Sequence, residues 1–304
     1  MIRYFNFILI LFFVYIQSVF AMNSTNYQIN WDSINSGGTD YSSSSNYELN
    51  DTVGGEGTGY SSSSNYRMHA GYRQNQIMEP AELSFSLGAQ ENSTQTSYSS
   101  LDISAKTVAV SSVSNYSVDD YIGVIEDEGL NQKFVVGKIT NISGTTITVD
   151  KWSGMTSSMS ATSAGGDDYV YRLNGHNIDL GTLSASVGKT GLVYTDISTN
   201  AQDGYSLVIQ SDGYLRASAS QHILNVSDGT VTVGDEEYGA AVDGDSATST
   251  GSDFAVSSTA REIQPSTTTA DTERVGMVYK TSINGATPAG SYTQVVEYLL
   301  TASF

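Results

Sequence analysis

Short segments of alternating or β-branched residues recur along this chain, and no window shows a sustained helical apolar period that ends in cap signals. The segments cover residues 83–87, 107–113, 133–142, 145–149, 192–197, 205–209, 274–282 and 291–301. Pairs typical of tight turns lie between them: Ser143-Gly144, Asp203-Gly204, Asp212-Gly213, Asp228-Gly229 and Asn284-Gly285. Many short strands at this spacing are typical of a β-sandwich or a β-barrel, so we expect an all-β fold.

The charge balance and the absence of cysteine narrow the class of protein. The 304 residues include 32 acidic and 13 basic side chains, which give a formal net charge of −19, and the basic residues are scattered. We therefore expect no nucleic-acid partner and no basic membrane-binding patch. A chain without cysteine has no disulfides, so its stability must come from the burial of a core.

The first residues have the pattern of a secretory signal peptide. Arg3 supplies a positive start, residues 7–16 form an uninterrupted apolar run, and Val19-Phe20-Ala21 offers a cleavage site. Ten apolar residues make only about 15 Å of helix, which is half of a bilayer core, so a membrane-spanning helix is disfavoured. We expect cleavage after Ala21 and export to the cell surface or the extracellular space.

A repeated heptapeptide marks the N-terminal part of the expected mature chain. The sequence YSSSSNY stands at residues 41–47 and again at 60–66, within a polar region that covers residues 22–80 and ends at Glu79-Pro80. We interpret residues 81–91 together with 174–304 as a β-sandwich, and residues 92–173 as an inserted small β subdomain. Each copy is expected to lead into one short alternating strand, through Tyr47, Leu49 and Val53 in the first copy and through Tyr66, Met68 and Tyr72 in the second, with the serines as a solvated spacer.

The segment FVVGKITNISGTTITVD, residues 134–150, predicts the hairpin at the centre of the inserted subdomain. Alternation on both sides of Ser143-Gly144 predicts that Val136, Ile139 and Ile142 lie near the apolar residues of the return strand. Trp152 stands two residues after this segment and could cap the small barrel-like unit. Residues 169–171 are expected to close it.

Four segments resemble a known group of proteins. LSFSLG at Leu83, LGTLS at Leu180, TNAQDGYSLVI at Thr199 and AGSYTQVVEYLLTASF at Ala289 resemble, in this order, secreted bacterial surface proteins with a WxL-like or fimbrial-type β-sandwich. The two SSSSNY tracts resemble the opening of uncharacterised exported proteins. The resemblance implies an immunoglobulin-like or fimbrial-type β-sandwich in a surface or extracellular location, here with an inserted small β-barrel-like subdomain and a short polar N-terminal repeat region.

Catalytic and cofactor signals are weak in this sequence. His69, His176 and His222 are not spaced as metal ligands, and no Gly-x-Ser-x-Gly elbow precedes a helix signal. We therefore expect no enzyme activity, no catalytic residues and no cofactor. Asp243 and Asp245 are weak candidates for Ca²⁺ ligands, as are the acidic groups at 119–120, 167–168 and 235–237, although aspartate is also common in solvated turns.

Three functions remain open at this point. The main hypothesis is a non-catalytic structural protein of the surface, which acts in adhesion or self-assembly by strand exchange, with the N-terminal repeat region as the donor. The first alternative is a carbohydrate-binding surface module that uses Trp152, Tyr214 and Tyr238 as stacking rings on loops, although Trp152 also fits a core position. The second alternative is an outer-membrane β-barrel. It rests on the alternating apolar residues that end the chain, which are Val296, Tyr298, Leu300, Ala302 and Phe304.

Overall fold

The structure is a computed structural model that describes residues 80–163, 165–248 and 251–304, together with four short strands before residue 80. The described residues contain twenty strands, one short 3₁₀ turn at Asn92–Thr94 and no α-helix, so the expected all-β class is confirmed. Among these residues no helix is long and apolar enough to cross a membrane. The chain divides into two units, residues 1–80 and 81–304.

Two β-hairpins are described in the first unit. Strand β1 (Gly37–Ser43) pairs antiparallel with β2 (Glu48–Val53), and β3 (Gly59–Ser62) pairs antiparallel with β4 (Arg67–Ala70). Each YSSSSNY copy therefore begins on the first strand of a hairpin. The predicted signal peptide, residues 1–21, lies outside the described residues.

In the second unit, two sheets face a shared hydrophobic core. The first sheet has the order β17-β19-β13-β5, and the second has the order β18-β14-β20. The strand bounds are β5 Leu83–Ala89, β13 Lys189–Thr199, β14 Tyr205–Ser211, β17 Glu237–Gly244, β18 Arg261–Ser266, β19 Ala270–Ser282 and β20 Val296–Ala302. Alternate residues of these strands fill the core, for example Ile197, Leu207 and Met277, which are buried. The short pair β15 (Leu215–Ser218) and β16 (Gln221–Ile223) adds Leu215 and Ile223 to it.

The third sheet is built from residues 96–172. Its strands are β6 Thr96–Asp102, β7 Thr107–Val110, β8 Tyr121–Glu126, β9 Lys133–Ser143, β10 Thr146–Val149, β11 Ser153–Gly154 and β12 Tyr169–Arg172. They follow the order β10-β7-β6-β12-β8-β9-β11, and β10 also pairs with β9. This extra pairing closes six of the strands into a ring around a second core that includes Val108, Ile147 and Val170.

The predicted hairpin at 134–150 is present, but one of its expected contacts is wrong. Ile142 pairs with Ile147, and Ile139 pairs with Val149 across a register shift. Val136 instead packs in a third core on the opposite face of β9, because it stands three residues from Ile139 and residues at odd offsets in a regular strand lie on opposite faces. Ile139 and Ile142 share a face because the register shifts between them.

This third core joins the third sheet to the four-stranded sheet. Phe134 and Val136 on β9 pack there with Leu192 and Val278 on β13 and β19. The central strands of the four-stranded sheet are therefore covered on both faces, by the β18-β14-β20 sheet on one side and by the third sheet on the other. Gly276 on β19 allows this close approach, since a Cβ at this position would lie 2.2 Å from the Phe134 ring.

Candidate functional site: an open sheet edge

Strand β5, with the sequence LSFSLGA, forms one edge of the four-stranded sheet. Its register places Phe85 opposite Ile197 and Ala89 opposite Val193, and the side chains of opposite residues lie on the same face. Ile197, Val193 and Ala89 belong to the core between the two sheets. Leu83, Phe85 and Leu87 therefore point toward the core side of the sheet.

These three apolar side chains are nevertheless exposed to solvent. Leu83, Phe85 and Leu87 are 45%, 37% and 43% exposed, whereas Ala89 at the end of the same row is buried. The β18-β14-β20 sheet therefore does not extend over the first part of β5. A contiguous apolar stripe at an uncovered strand is unusual for a monomeric surface and is typical of an interaction site.

The backbone of β5 is also open along this stretch. Ala89 N–H donates to Gly175 O at 2.8 Å, and Gly175 N–H donates to Ala89 O at 2.9 Å, so the polar groups of Ala89 point away from β13. In an antiparallel ladder this direction repeats every second residue, so the N–H and C=O groups of Leu87, Phe85 and Leu83 also point away from β13. No strand pairs with that side of β5 among the described residues.

The edge lacks the features by which sheet edges are usually protected. Residues 83–90 contain no charged side chain and no proline, and the pairing of β5 with β13 has no register shift. The opposite edge of the same sheet differs, because β17 is bridged by Asn225 at Tyr238 and by Phe254 at Ala240. β5 is thus the unprotected edge of this sheet.

A buried ionic network holds the strand to which β5 is attached. The Arg274 side chain is fully buried, and its Nε and Nη2 donate to Asp196 Oδ2 at 2.9 and 2.5 Å. Nη1 and Nη2 donate to the two carboxylate oxygens of Asp150 at 3.0 and 2.9 Å. The Tyr121 ring lies 5.0 Å from the guanidinium carbon, and its hydroxyl donates to Asp196 at 3.2 Å. Since Asp196 pairs with Ser86 of β5, the network fixes the edge strand's neighbour to the third sheet.

The charges of this network stabilise one another. Burial alone would lower the pKa of Arg274, but the hydrogen bonds and charges of Asp150 and Asp196 outweigh it and raise the pKa above its usual range. Burial would raise the pKa of Asp150, but Arg274 and the backbone N–H groups of Lys138 and Lys151 hold it below its usual range. Arg274 and Asp150 are therefore both charged at neutral pH, as a structural clamp requires.

Two of the three candidate stacking aromatics are core residues. Trp152 is buried with the ring core of the third sheet, and its Nε1 has no hydrogen-bond partner among the described residues. Tyr238 is buried in the core between the other two sheets. Neither ring presents a face to solvent. Tyr214 is exposed, and His222 stacks on one face of its ring with ring centroids 4.5 Å apart.

The candidate Ca²⁺ ligands Asp243 and Asp245 have different surroundings. Asp245 Oδ2 accepts hydrogen bonds from Lys151 Nζ at 2.7 Å and from Arg274 N–H at 2.9 Å, so this oxygen already has two donors. Asp243 belongs to strand β17 rather than to a turn, and burial raises the pKa of its carboxyl. A raised pKa disfavours the ionised form that a metal ligand needs.

A different acidic group brings three carboxylates together. Oxygens of Asp127, Asp167 and Asp168 lie within 4.8 Å of one another. Asp168 accepts hydrogen bonds from Asp127 N–H at 2.9 Å and from Ser163 Oγ at 2.9 Å. These bonds fasten two loops, which accounts for the buried carboxylate without an ion. Among the described residues, this group contains no histidine.

The sequence predicts strand β5 but not its exposure, and its pattern does not single out Arg274. The alternation of LSFSLGA and its lack of charge can be read from the sequence. The position of this strand at a sheet edge depends on its pairing with residues 193–199 of β13, which lie far away along the chain. Comparison of the chain with protein-family models, curated proteins and solved structures finds no significant match.

Proposed function

We propose that this chain is an exported, non-catalytic structural protein of the cell surface or extracellular space, which acts in self-assembly or adhesion. The observation that supports this proposal is the open edge of β5, where Leu83, Phe85 and Leu87 combine exposed apolar side chains with outward-facing backbone groups. An uncharged edge of this kind adds a strand from another chain through backbone hydrogen bonds. Strand addition is therefore the proposed mode of contact.

The finer fold assignment belongs to the same proposal. In it, residues 81–91 and 174–304 form an immunoglobulin-like or fimbrial-type β-sandwich, and residues 92–173 form an inserted small β-barrel-like subdomain. The distribution of strands among the sheets supports this division, since β6 to β12 all belong to one sheet and β5 and β13 onward to the others. The resemblance to secreted surface proteins and the signal-peptide pattern support export.

Location and self-association can be measured on one sample. Intact cells that produce the chain are treated with protease and, in parallel, with a lysine-reactive crosslinker. Release of fragments from intact cells and a ladder of multimers would support the proposal. A chain that is protected in intact cells and stays monomeric at all concentrations would refute both the location and the assembly.

The exposed Tyr214 supports a second candidate function, carbohydrate binding. Exposed aromatic rings stack on sugars, and the Tyr214 ring is exposed and packs against His222. A glycan array probed with the wild-type chain and with Tyr214→Ala tests this function. We expect the variant to lose a signal that the wild-type gives, with an unchanged melting temperature; an array without any signal would count against the candidate.

A further inference from the structure

We propose that two copies of this chain join β5 to β5 about a twofold axis, so that the two four-stranded sheets become one continuous sheet. The proposal rests on the proposed function, because it names the partner for self-assembly as a second copy and the contact surface as residues 83–87. The surface is defined by the exposed apolar stripe and by the outward-facing backbone groups of the same residues.

The β5 edge is complementary to itself when it pairs antiparallel. The polar backbone groups of Leu83, Phe85 and Leu87 point outward, so the matching register places Phe85 opposite the partner's Phe85 and Leu83 opposite the partner's Leu87. Each of these is then a hydrogen-bonded pair that uses both the N–H and the C=O group of each residue. A twofold contact always places the same patch on both sides. Here the outward N–H and C=O groups of one copy form hydrogen bonds with those of the other.

The side chains match in the same register. Leu83, Phe85 and Leu87 share one face of β5, so each apolar side chain lies beside an apolar side chain of the partner. Ser84 and Ser86 share the other face and lie beside the partner's serines or glycine. The pairing ends naturally at Ala89, because Gly175 already occupies its backbone groups.

Charge favours this edge over the rest of the surface. The chain carries a formal net charge of −19, so two copies repel each other at most approaches. Residues 83–90 contain no charge, and the nearest acidic residue, Glu82, falls opposite the partner's Gly88 in the proposed register. No like-charged side chains are therefore placed opposite one another in the paired strands.

The absence of cysteine allows a direct test of the register. Phe85→Cys, in the chain from Met22, places two thiols across the twofold axis with Cα atoms about 5.5 Å apart, within the range of a disulfide. Leu83→Cys alone is the matched control, because the two thiols would be separated by four residues along the strand, or about 13 Å. The double variant Leu83→Cys/Leu87→Cys should restore crosslinking through two bridges.

We expect mild oxidation to give a covalent dimer of Phe85→Cys and of the double variant, but not of Leu83→Cys. Equal crosslinking of Leu83→Cys and Phe85→Cys would overturn the proposal, because it would indicate random encounters or another register. Sedimentation of Phe85→Lys gives an independent check, with Leu299→Lys on the exposed side of β20 as the control. Phe85→Lys should be monomeric where the wild-type and Leu299→Lys are dimeric.

The outcomes separate this proposal from the proposed function. If the wild-type self-associates while Phe85→Cys does not crosslink, assembly stands and the β5 pairing is wrong. Deletion of residues 22–78 then shows whether the predicted N-terminal donor occupies the edge, since loss of association on deletion would assign the contact to that segment and overturn the β5 pairing. If the wild-type is monomeric at every concentration, self-assembly and the β5 dimer both fail, and adhesion is judged by surface exposure alone.

Discussion

Replacement of Arg274 by methionine should strongly destabilise the second unit. The Arg274 side chain is 0% exposed and pairs with Asp196, which is 7% exposed, and with Asp150, which is 29% exposed. Methionine fills much of the volume of the arginine stem but leaves both carboxylates without their cation. The loss of stability is larger than for a surface ion pair, because the Asp196 carboxylate cannot reach water unless the interface between two sheets opens.

The expected loss can be estimated from the burial of the pair. Removal of one partner of a buried ion pair typically costs about 3–5 kcal/mol in the free energy of unfolding. For a unit of this size, each kcal/mol lowers the melting temperature by about 2–4 °C, so the expected decrease is about 6–20 °C. Arg261→Met is the matched control, since Arg261 is exposed and stacks on Phe254 at 4.3 Å, an interaction worth about 0.5–1 kcal/mol.

Urea unfolding of the wild-type and the two variants, followed by tryptophan fluorescence and circular dichroism, measures these losses. Equal losses for Arg274→Met and Arg261→Met, or a loss of less than about 1 kcal/mol for Arg274→Met, would refute the assignment of Arg274 as a buried clamp. The same experiment as a function of pH tests the electrostatic part of the reasoning.

The pH dependence follows from the lowered pKa of Asp150. Burial would raise this pKa, but Arg274 outweighs burial and holds it below the value of the unfolded chain. A group with a lowered folded pKa contributes stability that is present above its unfolded pKa and is lost as the pH falls through the folded pKa. The difference between the wild-type and Arg274→Met should therefore be largest at neutral pH and shrink below about pH 4. A difference that does not change with pH would contradict this explanation.

Three further predictions concern single residues. Asp243→Asn should stabilise the fold at pH 7 but not at pH 3, because burial raises the pKa of Asp243, so the wild-type loses stability as the pH rises from the unfolded pKa to the folded pKa; urea unfolding at both pH values checks it. Gly204→Ala should cost far more than Gly144→Ala, for which about 1–2 kcal/mol is expected: both have positive φ, but only at Gly204 would a Cβ lie 2.1 Å from a backbone oxygen. Comparable melting temperatures for these two variants would contradict this explanation. Trp152→Ala should lower stability by about 3–5 kcal/mol without affecting self-association, as expected for a core residue and not for a ligand platform.

The alternating strands were the part of the fold that local sequence could predict. Segment 205–209 has one apolar row that faces a core, and segment 133–142 has several adjacent β-branched and apolar residues; each overlaps a strand of the structure. The turns at Ser143-Gly144 and Asp203-Gly204 could be predicted in the same way, because a backbone position with positive φ favours glycine. These features depend on a few adjacent residues, so they do not require knowledge of the sheet order.

Other strands were missed because their sequences do not alternate. β8, with the sequence YIGVIE, contributes Val124 to the ring core and Ile125 to the core against the four-stranded sheet, so both faces are apolar. β17, with the sequence EYGAAVDG, contains small residues and ends in the acidic group that the sequence placed in a turn. A strand covered on both sides is defined by the layers around it, which a single sequence does not specify.

The dependence of burial on neighbouring layers also explains why the sequence predicts β5 as a strand but not as a site. Its pattern of alternating leucine, phenylalanine and serine is that of an ordinary half-buried strand, and only the neighbouring sheet decides whether the apolar row is covered. The C-terminal end of β5 is covered closely, since a Cβ on Gly88 would lie 2.0 Å from Leu173 O. The open part is therefore bounded on one side by a tight backbone contact and begins directly after Pro80. A partner strand can add only between these limits, which is why the proposed pairing is confined to residues 83–87 and why its register can be tested with single cysteines.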